Sequence, residues 1–164
     1  MHESIQDLQV LQSILDRSLA RAGRHLRSVF RHHQAMMSED IVATLQGVFL
    51  LHLATVSNAN RPVVAPIDGL FYRGRFLFSA PEHSIRVQHL RHRPHVSATY
   101  TQGNAVCIIV HGRAVEAPAS NAEVTAFFEE VYGAAALKAS SKVGLTAFIA
   151  PNFMVAFGQR RVAG

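Results

Sequence analysis

GRFLFSAPEHSIRVQHLRHRPHVSATY, residues 74 to 100, is the stretch whose reading decides the fold. Phe76 to Phe78 is a short aromatic strand, and it pairs with Phe71 and Tyr72 across the tight Arg73-Gly74 turn as a hairpin. Ser84 is placed to cap a helix running to about His92. Pro94 ends that helix, because the residue before a proline is steered away from helical angles. A further strand, 95 to 101, follows. Between His83 and His95, seven basic or imidazole side chains crowd into thirteen residues, interleaved with apolar Ile85, Val87 and Leu90. A solvated charge run would carry no such apolar residues, so part of this segment faces a core and any anion it attracts sits beside folded structure.

Upstream, VFLLHLATVS (48 to 57) reads as a strand, buried on both faces at its start, with a turn at Asn58, Ala59 and Asn60 and a neighbouring strand over 62 to 67. Downstream, strands at 95 to 101 and 105 to 116 are separated by Gln102-Gly103-Asn104. Asn121 to Tyr132 has helical spacing in Val124, Phe127, Phe128 and Val131, and Gly133 stops it. Residues 134 to 146 are small and polar and are expected to be mobile, and a last strand covers about 148 to 157. About six antiparallel strands with one helix between the third and fourth fit a small closed or partly closed barrel, which removes exposed strand edges.

The N-terminal part is different in texture. Leu8, Leu11, Leu15, Leu19, Ala22, Leu26 and Val29 step by three or four, predicting an amphipathic helix over 4 to 32 with an interruption near Gly23. Arg17, Arg21, Arg24, Arg27 and Arg31 lie on its polar side, compatible with a solvated face, an acidic membrane surface or nucleic acid. A second helix is signalled by Ser38 as N-cap, Glu39 and Asp40 in the first turn and Ile41, Val42 and Leu45 behind them, ending near Gly47. The expected organisation is mainly β with helices (α+β): a helical arm, residues 1–36, and a six-stranded antiparallel barrel domain, residues 37–164.

With 164 residues the chain is of single-domain size, and its charged share of 16% is well under the usual ~25%, leaving room for apolar surface covered by a second subunit. The net charge of +5 favours anionic partners: a phosphate-bearing cofactor, nucleic acid or an anionic membrane. Cys107, in the apolar run AVCIIV, is the only cysteine, so it forms no internal disulfide and reads as a buried reduced thiol. No signal-peptide pattern and no span of ~20 apolar residues is present, which predicts a soluble, cytoplasmic protein. The His89-x-x-His92 pair and His32-His33 do not make up a zinc module, and Gly-x-Gly-x-x-Gly, phosphate-loop and Gly-x-Ser-x-Gly patterns are absent. His52 and His111 read as structural histidines, and Asp68 before Gly69 as a turn residue or, close to the expected ligand site, a functional one.

The anion site is read at the start of the predicted helix. A helix N-terminus offers free backbone N–H groups and partial positive charge, and Ser84 and Arg86 add a hydroxyl and a guanidinium that can hold two oxygens at once. The anion that fits is a cofactor phosphate.

The order of segments from Ser38 to about Glu116 resembles the pyridoxamine 5'-phosphate oxidase-like split β-barrel family, carried by SEDIVATL, LATVSNANRPVVAPI, the stretch quoted above and HGRAVE. The most specific parts are the aromatic strand, the Ser-x-basic turn, Leu90 and the Arg93-Pro94 pair. The resemblance implies a flavin-dependent oxidoreductase that binds FMN at the interface of a homodimer and acts on a small conjugated substrate, or alternatively an F420-dependent reductase of the same fold or a non-catalytic flavin- or haem-binding protein. The residues themselves predict no nucleic-acid partner, no membrane and no metal site. It implies that Ser84 and Arg86 hold the phosphate, that Val63, Val64, Ala65 and Pro66 line the ring with backbone N–H groups from 64 to 66 facing its nitrogens, and that Ser79 and Ala80 touch the ribityl chain or phosphate. Ile85 stands where the vitamin B6 oxidases carry an arginine, and Arg61-Pro62-Val63-Val64-Ala65-Pro66 lacks their lysine, which argues against oxidation of vitamin B6 itself. The surplus of Arg91, Arg93, Arg160 and Arg161 would suit the longer anionic tail of F420.

Overall fold

The computed structural model describes residues 2–32, 34–118, 120–133 and 143–158, the side chains of 29–32 and 143 excepted. The predicted segment 134 to 142, His33, the Arg31 side chain, Arg160 and Arg161 lie outside the described residues. In chain order the elements are α1 (Ile5–Ala20), α2 (Arg24–His32), β1 (Gln34–Ala35), α3 (Ser38–Thr44), β2 (Phe49–Val56), β3 (Pro62–Tyr72), β4 (Arg75–Pro81), α4 (Ile85–His92), β5 (His95–Gln102), β6 (Val106–Glu116), α5 (Ala122–Tyr132) and β7 (Val143–Gly158).

Six strands close into an antiparallel barrel in the order β7-β4-β3-β2-β5-β6, with β6 returning to β7. The seventh, β1, adds two residues against Phe157 and Gly158. Closure depends on the length of β7. Its first part pairs with β4, from Pro81↔Val143 to Leu77↔Phe148, and its second with β6, from Glu116↔Ala147 to Val106↔Gly158. Residues 143 to 146 are therefore strand, not part of a mobile segment: Leu145 and Thr146 continue the in-and-out alternation of 147 to 149, Leu145 turned inward and Thr146 to the Ser79 hydroxyl.

Alternation also settles which side chains fill the barrel. Leu51 and Leu53 of β2, Ile67 and Phe71 of β3, and Phe76, Phe78 and Ala80 of β4 point inward into one core. Leu50 is 54% exposed, so the start of β2 is buried on one face and not both. Gly69 sits opposite Phe49, and a Cβ there would lie 2.7 Å from the Phe49 ring; the glycine admits that ring, which packs edge-on to Phe76 and Tyr100. Asp68 is a residue of β3 facing outward, not a turn residue.

The turns have the chemistry the sequence promises. Arg73 and Gly74 both take positive φ, 50° and 71°, as a two-residue hairpin of this hand requires. On the outer wall, Leu70, Tyr72, Leu77 and Phe148 form a second core under α5, whose N-cap Asn121 accepts from the Val124 N–H and whose end is fixed by Gly133 at φ 81°.

The N-terminal helix breaks after Ala20, as Gly23 suggests, and packs on its own barrel: Leu11 and Leu15 enter the main core. Ser18, 2% exposed, accepts a hydrogen bond from the Met154 N–H at 2.9 Å and donates to the Ile14 carbonyl. Helix α3 begins one residue earlier than its serine suggests. Met37 is the N-cap, the Asp40 carboxylate accepts from the Met37 N–H, and the Ser38 N–H donates instead to Gln12 of α1. The Ser38 hydroxyl, whose oxygen a cap would use as acceptor, donates to Glu39. No helix among the described residues is long and apolar enough to cross a membrane.

Candidate anion and cofactor site

Helix α4 carries the chain from β4 to β5 along the rim of the barrel, Val87 and Leu90 anchoring it in the core while Ile85 stays 61% exposed. The Ser84 Oγ accepts from the Val87 N–H at 3.3 Å, and the Ser84 N–H is held by the Pro81 carbonyl. Among the described residues the N–H groups of Ile85 and Arg86 have no acceptor, as expected for the first turn of a helix, and the Ser84 hydroxyl hydrogen is also uncommitted.

Arg86 rises from this turn across a hollow of about 90 Å³. One wall is Leu53 and Thr55 of β2 with Val63 and Ala65 of β3; the other is Ser84, Ile85 and Arg86. An Arg86 Nη2 donates to the Pro66 carbonyl at 3.2 Å. Burial pulls the guanidinium below the ordinary arginine value, and it remains charged, since arginine does not lose its proton in proteins. Among the described residues Arg86 has no carboxylate partner. The neighbouring arginines do have partners: Arg91 is paired with Glu82 at 2.6 Å and Arg93 donates to Asn58.

Four of the eight expected site residues, Val63, Ala65, Ser84 and Arg86, meet at this hollow. Val64 and Pro66 alternate to the outer face, where Val64 is 66% exposed. Ser79 bonds to Thr146 and Ala80 is buried in the core, and neither lines the hollow. The backbone expectation for 64 to 66 narrows on elementary grounds. Proline has no N–H, and with the Pro66 carbonyl turned to Arg86 the pair His52↔Pro66 is not hydrogen-bonded, which directs Ala65 at Leu53. That leaves Val64 as the one amide turned away from β2, where β3 is not yet paired with β4.

His89, which the sequence offers only as half of a His-x-x-His pair, has a partner that the sequence does not show. It is 5% exposed, and its Nδ1 lies 2.9 Å from the hydroxyl of Thr55, itself 4% exposed. His92, on the same helix, is exposed and bonds to the Gln88 carbonyl, so the His89-x-x-His92 pair does not converge. No group of three potential metal ligands occurs among the described residues. His52 is half-buried on the outer face opposite Pro66 and Thr99, not in the core. Cys107 is likewise half-buried rather than buried, because odd positions of β6 face outward; burial still pushes its thiol up. His111 is exposed and held by Ser97 and by stacking on Phe153.

No protein-family model and no curated protein matches the sequence. Solved structures do. HutZ, the haem storage protein from Vibrio cholerae, is similar at a TM-score of 0.62 and 17% identity, over 74% of this chain and 94% of that one. A candidate pyridoxamine 5'-phosphate oxidase from Listeria innocua is similar at 0.55 and 14%, over 71% and 95%. The fold is the split β-barrel of the pyridoxamine 5'-phosphate oxidase-like proteins. A protein of unknown function from Agrobacterium tumefaciens matches at 0.58 and 16% over 68% of this chain, which spans only 52% of that longer one. Identities this low establish the split barrel and leave its ligand to be argued from the residues themselves.

Proposed function

We propose that this split barrel is a flavin-dependent oxidoreductase that binds FMN in the cleft of a homodimer and passes hydride or electrons to a small conjugated substrate in the cytoplasm. The observation that carries the reading is Arg86: a half-buried guanidinium with no carboxylate among the described residues, beside a capped helix start with two uncommitted N–H groups. Removing a cation from water without a counter-ion is unfavourable, and a bound anion offsets that cost. A phosphate monoester fits the donors present, because the guanidinium holds two oxygens and the Ile85 and Arg86 amides with the Ser84 hydroxyl supply the rest.

The size of the hollow supports the dimer. About 90 Å³ is enough for a phosphate or the end of a chain, whereas small-molecule sites usually need ~300 Å³ or more. The remaining walls of a flavin site then come from a second copy. Leu50 and Val64, 54% and 66% exposed on the outer face of β2 and β3, are the apolar surface such a copy would cover.

When bound, the flavin ring itself carries the redox chemistry, and the chain supplies position and field. Ser84 and Arg86 would hold the phosphate end, and the Val64 N–H would donate to a ring acceptor. Val63, Ala65 and Leu53 exclude water from the ring side of the hollow.

The test is reconstitution of the purified full chain with FMN, F420 and haem in parallel, followed by gel filtration, absorbance and mass spectrometry of what is retained. FMN retained with a flavin spectrum supports the reading. Retention of F420 alone moves the site to the deazaflavin, and a Soret band with no flavin retention overturns the flavin assignment.

A further inference from the structure

We propose that His89 is a positioning residue of the anion site: its Nδ1–H donates to Thr55, so that the Thr55 hydroxyl hydrogen is released toward the hollow as a further donor to a phosphate monoester. The inference rests on the phosphate reading above. Thr55 lines the hollow with Ser84 and Arg86, and its Oγ1 lies 2.9 Å from His89 Nδ1. A threonine hydroxyl has one hydrogen to give and an imidazole nitrogen either donates or accepts, so the pair has two arrangements. If Nδ1 accepts, Thr55 spends its hydrogen on the histidine and turns lone pairs to the hollow, which repel an anion. If Nδ1 carries the proton, the threonine accepts from it and its own hydrogen is free to be donated. A phosphate held by Arg86 selects the second arrangement.

Burial makes this more than a chance contact. Thr55 and His89 are 4% and 5% exposed, 34 residues apart in sequence, and among the described residues the His89 ring makes no other hydrogen bond. Two apolar side chains of similar shape would fill the same space without the cost of desolvating a hydroxyl and an imidazole. The same helix thus presents Ser84 and Arg86 at its first turn and, one turn later on its buried side, the ring that sets the hydroxyl on the opposite wall.

The experiment compares FMN with riboflavin, which differ only in the phosphate, on the full chain and its variants by fluorescence titration. Thr55→Val and His89→Leu are expected to weaken FMN by about tenfold while leaving riboflavin unchanged. His89→Asn, whose amide nitrogen can occupy the place of Nδ1, keeps most of the FMN affinity. A simple packing loss would instead weaken both ligands in parallel, and that result, or an unchanged FMN affinity in Thr55→Val, overturns the proposal. Should His89→Leu fail to fold, ¹⁵N NMR of the unsubstituted protein with FMN decides: a protonated Nδ1 supports it and an unprotonated Nδ1 overturns it. If the unsubstituted protein binds FMN no better than riboflavin, the phosphate reading itself fails and takes this inference with it.

Discussion

Arg86 Nη2 and the Pro66 carbonyl oxygen, 3.2 Å apart, tie the first turn of α4 to the edge of β3 and hold the guanidinium across the mouth of the hollow. The arginine is oriented before any ligand arrives. Arg86→Ala is therefore expected to weaken FMN by about 1.5 to 3 kcal/mol, the range for a hydrogen bond to a charged group, with little effect on unfolding. Arg86→Lys should recover only part, because a point charge lacks the forked geometry. Equal FMN affinity in the alanine variant, read by isothermal titration, would remove the anchor from the site.

The association proposed for the outer face of β2 and β3 has its own test. Val64→Asp places a carboxylate on the outer face of β3, at a valine 66% exposed. Sedimentation velocity is expected to show a dimer for the unsubstituted chain and a monomer for the variant, with FMN retention lost alongside. A dimer of unchanged strength would place the interface elsewhere.

Inside the barrel, Gly69→Ala would put a methyl 2.7 Å from the Phe49 ring and 2.8 Å from the Leu51 Cβ. Overpacking of this kind costs about 1 to 3 kcal/mol. Adding Phe49→Leu relieves the ring contact alone, so urea denaturation should show partial recovery.

Asn60 takes φ 58° in the turn between β2 and β3, a conformation glycine adopts without penalty. Asn60→Gly is expected to raise stability by about 0.5 to 1 kcal/mol, less than the ~1 to 2 that a bulkier residue would recover. A lower denaturation midpoint would mean that the asparagine side chain contributes something its hydrogen-bond partners do not reveal.

At the N-terminus, Asp7 accepts from both the Ser4 N–H and hydroxyl in a capping box. Partial burial pushes its carboxyl up, but these bonds and the Arg73 and Arg75 charges outweigh it and hold it below 3.8. A depressed carboxylate stabilises the fold above its unfolded value, and that contribution is lost as pH falls through the folded one. Asp7→Asn should thus lower the denaturation midpoint near neutrality, the difference from the unsubstituted chain vanishing in strong acid. A difference independent of pH would assign the effect to shape rather than charge.

Local chemistry was legible and tertiary chemistry was not. Arg73-Gly74, the Ser84 cap, Pro94 and Gly133 each act within four residues, and each appears where the sequence puts it. Ser38 reads as a cap, yet it stands inside the first turn of α3, where Gln12, 26 residues away, accepts from its N–H. Leu50 reads as buried until the barrel assigns it to the outer face. Thr55 and His89 carry no joint signal, because their contact exists only once α4 crosses the end of β2. Alternation could have told Val63 and Ala65 from Val64 and Pro66, since Thr55 and Leu53 opposite the first two belong to the inward set.

The last strand, β7, is hydrogen-bonded to β4 on one side and β6 on the other. On a ribosome this means that both flanking strands are made before the segment that joins them, and each waits with a bare row of amides and carbonyls. Synthesis thus passes through a vulnerable interval that ends only when residues 143 to 158 leave the exit tunnel. Variants that slow the arrival or docking of that segment should show their defect as insoluble product during expression, even where the finished protein is as stable as its parent.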